Sequence, residues 1–372
     1  MARHEGDPGK PMGPHTDGVR ARRHTGAATL KDVARAAGVS TMTASRVLRG
    51  HASVAPATRD SVLLAAESLG YRRNELARNL RLGRTSSLIG LVVTNLANPF
   101  YSELALGVEA VAEEAGFRVV LANTGEDAER EARLVDELVA RRVDGIIVVP
   151  AGADHAHLSP QRLGHIPVVL CARPPSNIAA DCVLVDDFGG SREATIALAA
   201  TGVQRIGFLG MPPSAWTGSE RFRGFCVALD EAGLALDERY VRRNQRTVAA
   251  AEAAALEILG LVEPPQAIFG ANNRNTIGAI RAVARTGQSV RIAGFDDFEL
   301  ADTLGIPLIV VSYDPADAGR EAAQLLLQRV MHGDAPTLDA PRRVVIPTRV
   351  VHYGEGAATS TGMLGEVAPS RT

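Results

Sequence analysis

Apolar positions recur at two different periods along this chain, and the change falls near residue 87. Before it, Leu30, Val33 and Ala37, then Ala44 and Val47, then Val62, Ala66 and Leu69 recur at helical spacing. They predict three short helices: Leu30 to Ala37, Thr41 to Leu48, and Pro56 to Leu69, the last opened by a proline that suits a first helical turn. From Ser87 onward short β-rich runs alternate with amphipathic helical stretches: SLIGLVV, 102–115, FRVVLAN, 126–141, DGIIVVP and IPVVLCA. A second series reads DCVLVDD, 190–201, RIGFLG, 220–233, 248–260, AIFGAN, 274–286 and VRIAGFDD. Strands alternating with helices imply parallel sheets with helices on both faces. About eleven strands would strain one open sheet, so two similar α/β lobes are expected. LIVVSYD at 308–314 reads as a late crossover between lobes, followed by a helix at 315–332 and a final strand near 343–351.

Composition sharpens this division. A chain of 372 residues is too long for one comfortable core and points to two or three domains. The formal charge of -2 hides an asymmetry, because residues 1–86 hold 15 Lys/Arg against 7 Asp/Glu and the remainder 25 against 35. A basic head on an acidic body implies a polyanion-binding module attached to a globular unit. Residues 1–28, rich in Gly, Pro, His and Arg, read as a disordered arm, and 354–372 as a flexible tail. Three cysteines, Cys171, Cys182 and Cys226, argue against a disulfide scaffold and fit a reducing cytosol. No apolar run approaches the roughly 20 residues of a membrane helix, and no apolar segment follows the first basic residues as in a secretory signal. The expectation is a cytoplasmic protein that does not engage membranes.

The segment LKDVARAAGVSTMTASRVL (30–48) meets the constraints of a helix-turn-helix. Ala34 sits where two helices cross closely, and Gly38 occupies the turn, where positive φ costs least without a Cβ. Ser40 is a natural N-cap for the second helix. Thr41 and Met42 at its exposed start face base edges, with Arg46 one turn on. Arginine can hold guanine O6 and N7 bidentately, while Thr and Met offer apolar surface to a thymine methyl. Thr43 and Ser45 suit phosphate oxygens. A small helical bundle without a ligand is the bland alternative, but 10 basic against 4 acidic residues over 29–86 weigh against it.

TLKDVARAAGVSTMTASRVLRG, then VAPATRDSVLLAAESLGY, then Asn74, Ala77, Arg78 and Leu80, then TSSLIGLV and NPFYSEL, together resemble the lactose/galactose-repressor (LacI/GalR) family from Thr29 to about Tyr353. The resemblance implies a mixed α/β protein: an all-α helix-turn-helix DNA-binding domain at 29–73, a hinge helix or linker at 74–86, and a two-lobed body like the periplasmic binding proteins at 87–353. It implies a homodimer on an operator of double-stranded DNA. Leu80 becomes the apolar wedge in the minor groove, Ala77 permits close approach to its floor, and Arg78 contacts phosphate beside Arg72, Arg73, Arg81 and Arg84. Arg73 stands where the family usually has proline.

In the body, the residues aligning with family pocket positions are Phe100, Tyr101, Arg221, Asn272 and Asp296, which suit a hydroxyl-rich ligand such as a sugar or sugar derivative. The alternative for Arg221 and Asp296 is a structural ion pair. Trp216, the only tryptophan, lies in the loop MPPSAWTGSE and either covers a sugar ring or packs beneath the loop. Three departures bear on the ligand: Ala172 and Asn273 replace the usual Asp, and Arg246 falls near a position that the family often fills with a pocket aromatic. Fewer acidic groups and an added cation favour an anionic or phosphorylated ligand.

Catalysis finds little support. The histidines are scattered and none forms H-E-x-x-H, and there is no G-x-S-x-G, P-loop or post-strand G-x-G-x-x-G. No metal or cofactor is implied. Asp186-Asp187 and Asp296-Asp297 read as adjacent strand residues pointing to opposite faces, which argues against a glycosidase pair. The leading reading is a ligand-responsive transcriptional regulator, a repressor before an activator, with a solute-binding protein of a transport system and an enzyme acting on a sugar or nucleoside as rivals. The missing export signal and the basic head oppose the transport reading.

Overall fold

Residues 28–48, 54–71, 86–164, 166–332 and 340–354 are described by the computed structural model. The chain divides into two compact units, one ending at Gly83 and one beginning at Arg84. In the first, helices α1 (Leu30–Ala36), α2 (Thr41–Leu48) and α3 (Pro56–Ser68) surround a small core of Val33, Ala34, Ala44, Val47 and Val62. A capping box starts α1, with Asp32 N donating to Thr29 Oγ1 at 3.3 Å and Thr29 N to Asp32 Oδ2 at 3.0 Å. Gly38 takes φ +66° in the turn, and Ser40 Oγ caps α2 by accepting from Thr43 N at 3.1 Å. Three-helix geometry therefore follows from local chemistry as much as from the core.

The second unit carries two six-stranded sheets. The first lobe begins with β1 (Leu88–Val93), α4 (Pro99–Glu114), β2 (Arg118–Asn123), α5 (Ala128–Ala140) and β3 (Gly145–Val148). It continues through a short α6 (Pro160–Leu163) to β4 (Val168–Cys171) and β5 (Asp181–Val185). The chain then passes to the second lobe with α7 (Asp187–Ala199), β6 (Ile206–Leu209), α8 (Trp216–Glu231), β7 (Val241–Arg242) and α9 (Val248–Leu259). That lobe runs on through β8 (Ala267–Gly270), α10 (Asn273–Thr286), β9 (Arg291–Phe295) and β10 (Leu308–Ser312). Helix α11 (Pro315–His332) and β11 (Arg343–Ile346) return to the first lobe, and β12 (Arg349–Tyr353) closes the second. The sheet orders are β11-β5-β4-β3-β1-β2 and β12-β10-β9-β8-β6-β7, every pair parallel except β10 with β12. Strands such as LIGLVV read as unbroken apolar runs because helices cover both faces.

Three details differ from the sequence reading. The strand in DCVLVDD belongs to the first sheet, paired with β4, rather than opening the second series. LIVVS is a full strand of the second sheet, and the crossing follows it at Tyr313 and Asp314. The single strand expected near 343–351 is two strands in different sheets. Pro347, lacking an N–H, ends the β11 ladder and lets the chain cross.

The lobes are thus joined by three crossings, at Asp186, at Tyr313–Asp314 and at Pro347–Thr348. Beside the second of them α4 and α11 touch backbone to backbone. A Cβ added at Gly107 would strike the Ala316 carbonyl, and one at Gly319 the Leu104 carbonyl. Since neither obstacle is a flexible side chain, Gly319→Ala is expected to lower stability by about 1–3 kcal/mol. Chemical denaturation checks this, and an unchanged midpoint would mean that the helices separate without cost.

Candidate functional site

Helix α2 sorts its residues by face. Ala44 and Val47 are buried, whereas Thr41, Met42 and Arg46 are exposed, Met42 at 67%. Thr43 and Ser45 are half-buried, and the Thr43 hydroxyl lies 2.9 Å from Ser40 Oγ at the cap. The residues assigned to base edges are therefore those that packing leaves free to face a groove. Ala77, Arg78 and Leu80 lie outside the described residues.

In the body, helix N-termini and strand carboxyl ends converge on a cleft between the lobes. Its inner part is a cavity of about 50 Å³ lined by Phe100, Tyr101, Arg221, Asn272 and Asp296. An outer cavity of about 90 Å³ adjoins it, and the two share Asn98, Tyr101, Arg173, Met211, Thr217 and Asn272. Arg221, from α8, is the centre of the inner part and is 4% exposed. Its Nε donates to Asp187 Oδ1 at 2.7 Å, and its Nη1 donates to the Ala271 carbonyl at 2.7 Å and to Asp296 Oδ2 at 3.1 Å. The guanidinium lies 3.6 Å from the centroid of the Phe295 ring. Tyr313 OH donates to Asp296 Oδ1 at 2.8 Å. Arg221 and Asp296 are thus an ion pair and cleft-lining groups at once, so the two readings of them do not exclude each other.

Burial and charge compete in this cluster. Burial pushes the Asp187 carboxyl up, to about 6, against the opposing pull of Arg221. Burial opposes the charge on Arg221, but Asp296 and Asp187 outweigh it and raise its pKa. Burial, and then Asp296, raise the Tyr313 phenol well above its ordinary value. Asp187 Oδ2 is buried and has no hydrogen-bond partner. An acceptor without a donor, on a residue that lines the cavity, can take a ligand hydroxyl.

Asn272 caps α10, accepting from Asn275 N at 2.8 Å while lining both cavities. Asn273, next to it, lines neither. Its side chain exchanges hydrogen bonds with that of Asn98 across the lobes, Asn273 Nδ2 donating at 3.1 Å and Asn98 Nδ2 at 3.4 Å. An aspartate there could accept but not donate, so the amide is what makes the exchange reciprocal. Arg246 is half-exposed, lines the outer cavity and pairs with Glu126 of the other lobe. Trp216 is the first residue of α8 and 38% exposed, outside the lining of both cavities, although its neighbours Ala215 and Thr217 line the outer one. Ala172 lines the inner cavity at φ +61°.

Sequence reasoning missed Asp187 and Tyr313. The dipeptide Asp186-Asp187 is not a strand end: Asp186 caps α7, accepting from Gly189 N at 2.9 Å, which makes Asp187 the first helical residue. Asp296 likewise follows its strand at φ +63°, and Asp297 turns away to accept from Tyr353 OH at 2.8 Å. The carboxylates of each pair do diverge, but because of a cap and a turn rather than strand alternation. Among the described residues no group of His, Cys, Asp and Glu could hold a metal ion, and no helix is long and apolar enough to cross a membrane.

A helix-turn-helix followed by a two-lobed α/β body with a polar cleft at its strand ends defines a ligand-responsive DNA-binding regulator. Residues 29–74 match the model of bacterial regulatory proteins of the lacI family. Residues 86–354 match that of periplasmic binding proteins and the sugar-binding domain of the LacI family. The chain belongs to the LacI family of bacterial regulatory proteins. It is 34% identical over 316 residues to the HTH-type transcriptional regulator GalS of Salmonella typhimurium, covering 84% of this chain and 91% of that protein. It is 34% identical over 336 residues to the transcriptional regulator CelR of Thermobifida fusca, covering 87% and 96%. Among solved structures, a CelR–cellobiose complex superposes with TM-score 0.65 at 31% identity, covering 88% of this chain and all of that one. A lac repressor dimer bound to operator superposes with TM-score 0.73 at 24% identity over 88% of this chain and 98% of that one, a likeness of fold.

The Asp187 carboxyl generates a pH prediction. Its pKa in the folded protein lies above the value of about 4 in the unfolded chain, so unfolding releases a proton between these values. Its stabilising contribution is therefore complete below about pH 4 and lost as the pH rises through 6. The difference in melting temperature between wild type and Asp187→Asn is expected to shift in favour of the wild type as the pH falls from about 7 to 5. A difference that stays constant over that range would show that Asp187 keeps its charge.

Proposed function

We propose that this protein is a repressor that binds a near-palindromic operator as a homodimer and changes its operator affinity when a small hydroxylated molecule occupies the cleft. One observation carries the reading: α2 buries Ala44 and Val47 and leaves Thr41, Met42 and Arg46 exposed, in the same chain as a cleft with a buried hydroxyl acceptor. Thr41, Met42 and Arg46 read base edges in the major groove. Thr43, Ser45 and Arg78 hold phosphates and fix the register. Ala77 and Leu80 enter the minor groove at the operator centre.

In the cleft, Phe100 and Tyr101 cover an apolar ligand face, and Arg221, Asn272, Asp296 and Asp187 serve its hydroxyls. Relatives with this architecture include one solved with cellobiose, which supports a sugar-like effector. The effector binds one lobe-to-lobe angle better than another, and operator and effector affinities are then reciprocally coupled. The protein works in the cytoplasm beside the DNA, and no chemical step belongs to this reading.

The test is operator selection from genomic fragments followed by titration at several salt concentrations. Arg46→Ala is expected to weaken operator binding by roughly 10- to 100-fold and to relax preference at one base pair per half-site. Arg78→Ala is expected to weaken binding evenly across sequences and to reduce the salt slope by about one. A protein that shows no preference among promoter fragments, even at low ionic strength, would overturn the proposal.

A further inference from the structure

The two parts of the cleft differ in charge. In the inner part Arg221 faces two carboxylates, Asp187 and Asp296, a cluster without surplus positive charge that can exchange hydrogen bonds with hydroxyls. The outer cavity is lined by three arginines, Arg173, Arg246 and Arg274, and by one carboxylate, Glu126. Glu126 is already paired with Arg246. Arg173 donates from Nη1 to the Pro150 carbonyl, and Arg274 from Nη1 to the Arg246 carbonyl at 3.4 Å. Among the described residues neither has a carboxylate within ion-pair distance, and both are half-buried. A guanidinium partly removed from water without a counter-ion is a costly arrangement that an incoming anion relieves.

The position of Arg274 adds a second, independent argument. It lies in the first turn of α10, where the helix dipole already presents positive charge, and that turn contains no acidic residue. Helix stability alone favours an acid at this position. The first turn of α8, which brings Ala215 and Thr217 to the same cavity, also lacks an acidic residue. Cations and helix N-termini therefore converge on one small polar volume, together with the amides of Asn95 and Gln245.

We infer that the effector carries a phosphate or carboxylate, seated against Arg173 and Arg274 in the outer cavity, while its hydroxyls face Arg221, Asp187 and Asp296. This rests on the assignment of the cleft as the effector site. Arg173 and Arg274 meet the anion through charge-assisted hydrogen bonds, and the inner cluster, with two carboxylates to one guanidinium, keeps the anion from seating the other way round. Anion and hydroxyl recognition are thus assigned to different residues and can be removed separately.

The experiment titrates the full-length protein with matched sets: D-glucose, D-glucuronate and D-glucose 6-phosphate; D-galactose, D-galacturonate and D-galactose 6-phosphate; D-ribose and D-ribose 5-phosphate. Melting temperature and the fluorescence of Trp216, which adjoins the outer cavity, report binding. At least one anionic member is expected to bind about 10-fold or more tightly than its neutral parent. Arg274→Gln, in the outer cavity alone, is expected to remove most of that advantage and leave the neutral parent bound as before, whereas Arg173→Gln, which lines both cavities, is expected to remove the advantage and weaken the neutral parent as well; the melting temperature of each unliganded variant reports its folding. A preference between the uronate and the phosphate identifies the anion. Neutral members that bind as well as their anions, or an anion preference that survives in both variants, would overturn this inference and leave the effector site standing. Failure of every member to move either readout would count against the effector site itself, and this inference falls with it.

Discussion

The body of this protein depends on one buried ion cluster. Arg221 joins Asp187, the first helical residue after the first crossing between lobes, to Asp296, which Tyr313 holds at the second crossing. The same three charges form the inner surface of the cleft. Such a cluster is weak evidence for stability, because taking three charges out of water costs free energy that their mutual attraction only partly returns. The unpartnered Asp187 oxygen makes the balance less favourable still. Apolar residues of similar volume would serve a rigid core better. What the cluster supplies is position: a ligand hydroxyl that reaches Asp187 touches the residue from which the second lobe departs.

That cluster lies in the second lobe and at a crossing, and between the lobes the polar side-chain contacts are lighter. The Asn98–Asn273 exchange is uncharged, and the Glu126–Arg246 pair is a third to a half exposed. Exposed pairs of this sort contribute about 0–1 kcal/mol each. An arrangement of lobes held so lightly can be shifted by a ligand with only a few kcal/mol of preference for one angle. By contrast α4 and α11 interlock at Gly107 and Gly319, and each lobe has its own apolar cores. The structure therefore concentrates its rigidity within lobes and its compliance between them. A small ligand can then act through the angle between the lobes rather than through local unfolding.

Much of this architecture was legible in the order of residues. Apolar runs of four to six residues alternating with helical periodicity identify covered parallel sheets, and Gly38, Ala34 and Ser40 constrain the turn of the helix-turn-helix. The lobe assignment of the last strands was not legible, because β11 and β12 are separated by two residues and only pairing with distant strands tells them apart. The cleft was legible in part. Arg221, Asn272 and Asp296 stand out by motif, whereas Asp187 and Tyr313 enter through the crossings, which no local pattern reveals. Asp186-Asp187 misled because a capping residue and a strand end look alike until the hydrogen bond from Gly189 is seen. Arg173 went unnoticed beside Ala172, since an isolated arginine after a strand is ordinarily a solvated one.

Ala172, Asn273 and Arg246 form one physical set when placed in space. Ala172 brings no acceptor to the inner cavity, Asn273 bridges the lobes as an uncharged amide, and Arg246 brings its own counter-ion from the other lobe. None of the three adds uncompensated charge to the cleft, so Arg173 and Arg274 are left as its surplus. The surplus lies in the outer cavity, where half-burial strengthens the attraction for an anion without the full desolvation cost of the interior. Asp187 and Asp296 behind it repel that anion and fix its direction. Selectivity then arises from two opposed fields a few residues apart, and a neutral sugar would use only one of them.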